Sequence, residues 1–384
     1  MSTADDNIMN HFGLRRRNFI LDPHDEADST FWAERAQPNR TRIVEELQID
    51  LEAGLAPKRL FWGPYGGGKT HTLENLTRSL EKMTDIYSVY VESPTMEKKS
   101  TFLVLYRSGI MKSIGQDLTL SIFNKIVDMS VGEGGRSEVL EKLKRTIGDE
   151  ELSMAVLRFL DPQFDPLLFW SWFSGASVPR GQLSILNQTN DLTEAEPAYL
   201  ATLLVILARL YRLTHNKLLV LILDELEHLQ EIGVDGSATF QTAFIRLTDP
   251  NQNDLGVLMA YSADVWDRLP DMFRGPVQSR LGTEAYIEIP SLVPKEAETF
   301  MRLIIQYVRD PSANVADLAA KARQATREKV IDDIFPFSQE AFEKLLSQVP
   351  SQFFTPREIM HRMTRAVSRA FITKRLIVTS DIVV

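Results

Sequence analysis

The chain of 384 residues contains no cysteine. Disulfides, thiolate metal sites and cysteine nucleophiles are therefore excluded. Histidine is scarce as well, at six residues, and no pair has a spacing such as H-E-x-x-H, so no structural metal is expected. Internal repeats and low-complexity tracts are missing. Long apolar runs are missing too: "YLATLLVILARLY" (199–211) and "LLVLIL" (218–223) are separated by Arg212, His215 and Lys217. Each falls short of the ~20 apolar residues of a membrane span. The opening "MSTADDNIMNHFGLRRRNFI" lacks the apolar centre of a signal peptide. A cytoplasmic protein with no membrane partner is the expectation. An excess of positive charge is also absent. The net charge of −9 opposes long-range attraction to DNA, though it permits a local basic patch. What remains is ordinary, with 44% hydrophobic and 25% charged residues, so a sizeable core is expected. The length suggests two or three structural units.

Periodicity divides the chain. Residues 1–55 form an N-terminal arm plus a helix, in which Ile43, Leu47 and Leu51 share a face and Gly54 ends it. "KRLFWG" reads as a short buried strand, "THTLENLTRSLEKM" as a helix and "IYSVYVES" (86–93) as the next strand. From about 100 to 198 the pattern is nearly all helical, interrupted by a break at 131–138. The run "DPLLFWSWFSG" (165–175) suits core packing or a docking surface. Thr193 and Glu196 have capping-box spacing and predict the start of a long helix. "KLLVLILDE", "DLGVLMAYSA" (254–263) and "EAYIEIP" (284–290) read as further strands. An all-apolar strand such as the first suits a parallel sheet covered on both faces. Strands alternating with helices make 56–290 an α/β unit with a helical insertion at about 100–198, and 291–384 a separate helical bundle.

The stretch "GPYGGGKT" is G-x-x-x-x-G-K-T, with Gly63, Gly68, Lys69 and Thr70 at the fixed positions and Gly66, Gly67 and His71 in the same turn. Glycine allows backbone N–H groups to converge on one concavity at a helix N-terminus, which suits a triphosphate. Lys69 is then expected to reach the β- and γ-phosphates, and Thr70 to ligate Mg²⁺. In "LLVLILDELEHL" an apolar strand delivers Asp224 to its C-terminal edge, where it suits Mg²⁺, with Glu225 beside it to activate water. No N-K-x-D guanine-reading motif is present, so ATP is expected over GTP.

Further candidates follow. Ser262 ends a strand, either sensing the γ-phosphate or capping the strand. Arg274 and Arg280 precede the last strand, and Arg280 is a candidate arginine finger or a surface ion-pair residue. In "FFTPREIMHRM", Thr355 is the expected N-cap and Pro356 takes N1. Arg357 then opens a helix from which it can reach phosphates.

Together these features resemble an AAA+ P-loop ATPase, nearer to the origin-recognition and STAND-like branch than to the unfoldases. The region upstream of "LLVLILDELEHL" is similar to that of ATP-binding proteins of the BREX phage-defence type. The resemblance spans about 55–380. It implies a parallel-sheet core with a C-terminal helical lid, Mg²⁺-dependent ATP hydrolysis, and assembly into an oligomer acting as an ATP-controlled loader or switch. Ser262 departs from the Asn or Thr more usual at a sensor position. Three readings stay open: an ATPase of DNA transactions or phage defence, a slow STAND-like signalling switch, and a transposition-type DNA-targeting ATPase. For DNA the candidate charge is "RRR" (15–17) and the stripe Arg362, Arg365 and Arg369, with Lys374 and Arg375 beyond it. The stripe shares a helix face that contacts either phosphate or solvent.

Overall fold

The computed structural model describes residues 3–16, 18–25, 27–28, 38–94, 101–132, 135–348 and 354–383. Arg17, and Glu133 and Gly134 of the expected break, lie outside the described residues. Helices α1 (Thr3–Phe12) and α2 (Pro38–Glu52) precede β1 (Lys58–Gly63), α3 (Lys69–Glu81) and β2 (Ile86–Glu92). Then come α4 (Gln116–Ser130), α5 (Gly135–Ile147), α6 (Glu150–Val156), α7 (Pro166–Phe173) and α8 (Pro197–His215). Next are β3 (Leu218–Asp224), α9 (Gly233–Leu247), β4 (Leu255–Ser262), α10 (Pro276–Leu281) and β5 (Tyr286–Glu288). The chain continues through α11 (Pro294–Val308), α12 (Val315–Ala325), α13 (Gln339–Ser347) and α14 (Pro356–Ile372). It divides into two compact units, one of Met1–Arg42, Gly63–Asn75 and Ile289–Val384, the other of Ile43–Trp62 and Leu76–Glu288.

The second unit contains a five-stranded sheet in the order β2-β3-β4-β1-β5. The β2–β3, β3–β4 and β1–β5 pairs are parallel. Every residue of β3 is buried, which explains why that strand is apolar without alternation. The α/β parallel-sheet core expected from the sequence is present. Position 54 ends α2 as expected: Gly54 has φ +74° and its N–H donates to Leu51 O, while Leu55 N–H donates to Asp50 O, a Schellman closure.

The helical segment between β2 and β3 packs into the same core. Phe169, Trp172 and Phe173 of α7 are buried, and Phe123 of α4 meets Phe169 and Phe173 edge-on at 4.8 and 5.2 Å. The aromatic run is core packing. Two local expectations change. The long helix begins at Pro197 rather than at Thr193, because proline has no N–H to lose at N1 and its φ is already helical. Thr193 instead lies in a short turn whose N–H is taken by Asp191 Oδ1 at 3.0 Å. The break at 131–138 is shorter than expected, since α5 already begins at Gly135. Helix α8 is longer than the apolar run inside it, and by length and composition alone it would pass for a membrane span. Half of that helix is buried, with Leu200, Leu203, Leu204 and Leu207 in the core of this unit.

In the other unit, α11 and α14 pack together, and residues of the N-terminal arm complete their core. Ile8, Phe12, Leu14, Phe19 and Leu21 are buried with Phe300, Ile304, Met363 and Val367. The arm therefore belongs to this helical bundle. Arg15 and Arg16 make contacts within it. Arg15 lies over the Tyr307 ring at 4.1 Å. Arg16 grips Asp28 with both terminal nitrogens, at 2.8 and 2.5 Å. The Asp28 carboxylate also accepts from Tyr307 Oη (2.6 Å) and Asp22 N–H (2.9 Å). Arg16 is thus committed within the fold, while Arg15 stacks on an aromatic face.

Burial alone would raise the Asp28 pKa, but hydrogen bonds from Arg16, Tyr307 and the Asp22 N–H outweigh it and hold the group at about 2. A depressed carboxylate contributes stability above its unfolded pKa and loses it as the pH falls through the folded value. Asp28→Asn is expected to cost on the order of 2 kcal/mol at neutral pH. Urea unfolding of both proteins should show the gap narrowing between pH 4 and pH 2. A gap that does not change with pH would mean that the carboxylate charge is not what Arg16 recognises.

Candidate functional site

The glycine loop leaves β1 and opens α3. Its first glycine is required by crowding: a Cβ at Gly63 would lie 2.1 Å from Ile289 O. Gly66 is required twice over. Its φ is +76°, where L-residues are strained, and a Cβ there would lie 2.7 Å from Arg357 Cβ. Lys69 is buried, 6% exposed, and its ammonium donates to Gly63 O (3.1 Å) and Pro64 O (3.0 Å). Those carbonyls hold the charge at the loop. Thr72 donates through both N–H and Oγ1 to Gly68 O, tightening the first turn. Gly67 is buried, whereas Gly68, Thr70 and His71 are half-buried at the start of a 13-residue helix. The positive end of this helix suits an anion there.

Arg357 belongs to the same unit. Thr355 Oγ1 caps α14 by accepting from Glu358 N–H, and Pro356 takes N1, as the sequence predicts. Arg357 N–H donates to Gly66 O at 3.4 Å, Nη1 donates to Tyr65 Oη at 2.6 Å, and the guanidinium stands 4.7 Å from the Tyr65 ring centroid.

The acidic pair belongs to the other unit. Asp224 is 2% exposed. Its carboxylate accepts from Tyr90 Oη (2.6 Å) and from Glu225 N–H (2.8 Å), and its carbonyl accepts from Ser93 N–H. Glu225 has φ +56°, a left-handed conformation that glutamate rarely adopts. Strain of this kind persists where the surroundings impose it, and it clusters at functional sites. The Glu225 side chain is 37% exposed and lies 4.0 Å from His228 Nε2. Burial pushes its pKa up, and the Glu92 and Asp224 carboxylates and a hydrogen bond with Glu92 add to this, while His228 pulls it down. His228 is itself tied through Nδ1 to Ser93 O at 3.0 Å.

Ser262 ends β4 with its hydroxyl donated to Glu227 Oε1 at 2.6 Å. Arg274 pairs with Asp271 at 2.7 Å. Arg280 is exposed on α10 and donates to Ile245 O at 3.0 Å. On α14, Arg362 pairs with Glu358 at 2.6 Å, and Arg365 and Arg369 are exposed. With Ile382 and Val383 these three arginines line a cleft of about 100 Å³.

Sequence reasoning passed over Tyr65, Tyr90, Glu92, Glu227 and His228. Glu92 stands in register with Asp224 across the β2–β3 pair. Register is a tertiary property, so the spacing along the chain carried no sign of it. Tyr65 was visible as the one large aromatic among the loop glycines.

Among the described residues no group of three or more His, Asp or Glu side chains is placed to cage a metal. Mg²⁺ does not need such a cage. It commonly takes one or two protein oxygens and completes its shell with phosphate and water. Thr70 in one unit has a hydroxyl oxygen of that kind, and Asp224 in the other a buried carboxylate.

No protein-family model matches the chain, and no curated protein matches it. Solved structures that resemble it include Cdc6p from Pyrobaculum aerophilum, at 14% identity and TM-score 0.41 over 91% of this chain and 68% of that one. The Aeropyrum pernix ORC2 protein (ADPNP-ADP complexes) resembles it at 13% identity and TM-score 0.44, over 97% and 70%. Drosophila ORC bound to DNA does so at 14% identity and TM-score 0.42, over 94% and 64%. Likenesses this distant do not bear on function. The functional reading stands on the chain's own residues.

Glu225→Asn should relieve both the positive-φ strain and the carboxylate repulsion, because asparagine tolerates this backbone region. Stability is expected to rise by about 1 kcal/mol, a thermal shift of ~2–4 °C for a unit of this size. A drop in the thermal midpoint would show that Glu225 is locally stabilising and not strained for a purpose.

Proposed function

We propose that the chain is a Mg²⁺-dependent ATPase of AAA+ type, working as an oligomeric, ATP-controlled loader or switch. The observation that carries the reading is the loop at 63–70, where close backbone approach, a buried lysine and a helix N-terminus combine in the way a triphosphate requires.

When bound, ATP supplies the phosphoryl group that passes to water. The glycine loop at Gly66, Gly67 and Gly68 and the Lys69 ammonium orient the phosphates. Thr70 and Asp224 would hold Mg²⁺. Tyr90 fixes the Asp224 carboxylate, and Glu225 takes the proton of the attacking water. Ser262 acts on the same chemistry through Glu227, and Arg357 meets the phosphates from the lid, the helical region 291–384. Arg280, exposed and, among the described residues, held by a backbone carbonyl, is the finger offered to a neighbouring subunit. The α/β core spans 56–290 with its helical insertion. Duplex DNA is a candidate partner through Arg365 and Arg369 with Arg362, as part of a DNA transaction or phage defence. Light scattering after size exclusion, with and without ATP·Mg²⁺ and duplex DNA, tests assembly. A monomer under every condition would remove the finger role, and an elution unchanged by DNA at low salt would favour a protein-directed switch.

The central test is a pair of variants. Lys69→Ala should lose tight ATP binding in a fluorescent-ATP titration. Glu225→Gln should bind ATP as the wild type does and hydrolyse it at least about 100-fold more slowly, since an amide cannot take a proton. Unchanged affinity in Lys69→Ala, or unchanged turnover in Glu225→Gln, contradicts the assignment.

A further inference from the structure

The geometry points to Tyr65 as a positioning residue that holds Arg357 ready for the nucleotide, an inference resting on the ATP-binding reading of the loop. Tyr65 is 62% exposed, an uncommon place for a tyrosine that serves no packing purpose. Its ring is used all the same. The Arg357 guanidinium lies over it at 4.7 Å, and Nη1 donates to its hydroxyl at 2.6 Å. An exposed arginine otherwise samples many rotamers, and fixing it on a ligand costs entropy at the moment of binding. Stacking on an aromatic face removes much of that freedom beforehand while leaving most of the five guanidinium donors unused.

Backbone contact reinforces the side-chain contact. Arg357 is the second residue of α14, so its N–H is one of the donors without an intrahelical partner. It is donated to Gly66 O at 3.4 Å, next to Tyr65 in sequence. The closeness that forbids a side chain at Gly66 is therefore the closeness that brings Arg357 onto Tyr65. Tyrosine provides both the π-face and the hydroxyl acceptor. Phenylalanine would keep only the first.

A double-mutant cycle on ATP affinity tests this, with Lys69→Ala as the control for the site. In the wild-type background Tyr65→Ala should weaken fluorescent-ATP binding about tenfold, and Tyr65→Phe by no more than about threefold. In the Arg357→Ala background Tyr65→Ala should change nothing, because there is no arginine left to position. Equal losses in both backgrounds would overturn the proposal and mean that Tyr65 acts without Arg357. No loss in the wild-type background would overturn it as well. Failure of the underlying reading looks different: Lys69→Ala would then bind ATP as the wild type does, or the wild type would not bind it.

Discussion

There is no room for a side chain at position 63. The carbonyl of Ile289 occupies the space a Cβ would need, and at position 66 the helix carrying Arg357 does the same. These two approaches account for glycine at both positions, and the second carries a left-handed φ as well. They bring three things to one loop: the N-terminus of α3, the buried Lys69 ammonium, and the first turn of α14. Any side chain at Gly63 or Gly66 would displace neighbouring atoms and with them the concavity on which the nucleotide reading depends.

The acidic end of β3 follows a second constraint. Asp224 is buried, and a buried carboxylate must be hydrogen-bonded; Tyr90 and the Glu225 N–H meet that need. Glu225 follows it in a conformation it would not choose, where burial, and after it the carboxylates of Glu92 and Asp224, raise its pKa. A base is useful when its proton affinity is raised, and a group crowded by other acids has that property. The same crowding makes the residue a local cost to folding.

Much of this was legible in the sequence, for reasons that differ by element. The loop could be read because its chemistry lies within eight consecutive residues, and β3 because burial on both faces leaves only apolar residues. The cap of α14 is equally local. The start of α8 was misjudged because a capping-box pattern competes with the proline that directly follows it, and proline fixes the boundary. "RRR" resembled a basic patch because the partners of Arg16 come together only on folding: Asp28 is 12 residues from Arg16, and Tyr307 is 279 residues from Asp28. The pairing of Tyr90 and Glu92 with the acidic pair depends on strand register, and that of Tyr65 with Arg357 on contact between residues 292 apart.

The account stands or falls on whether Asp224 serves a metal-bound triphosphate. The measurement is ATP affinity by calorimetry with Mg²⁺ and with EDTA, for the wild type and for Asp224→Asn, which keeps the shape of the side chain and its place beside Tyr90. The account predicts that Mg²⁺ strengthens wild-type binding about tenfold, on the order of 1.4 kcal/mol, and that this gain is largely lost in the variant. An equal Mg²⁺ gain in both proteins would contradict it.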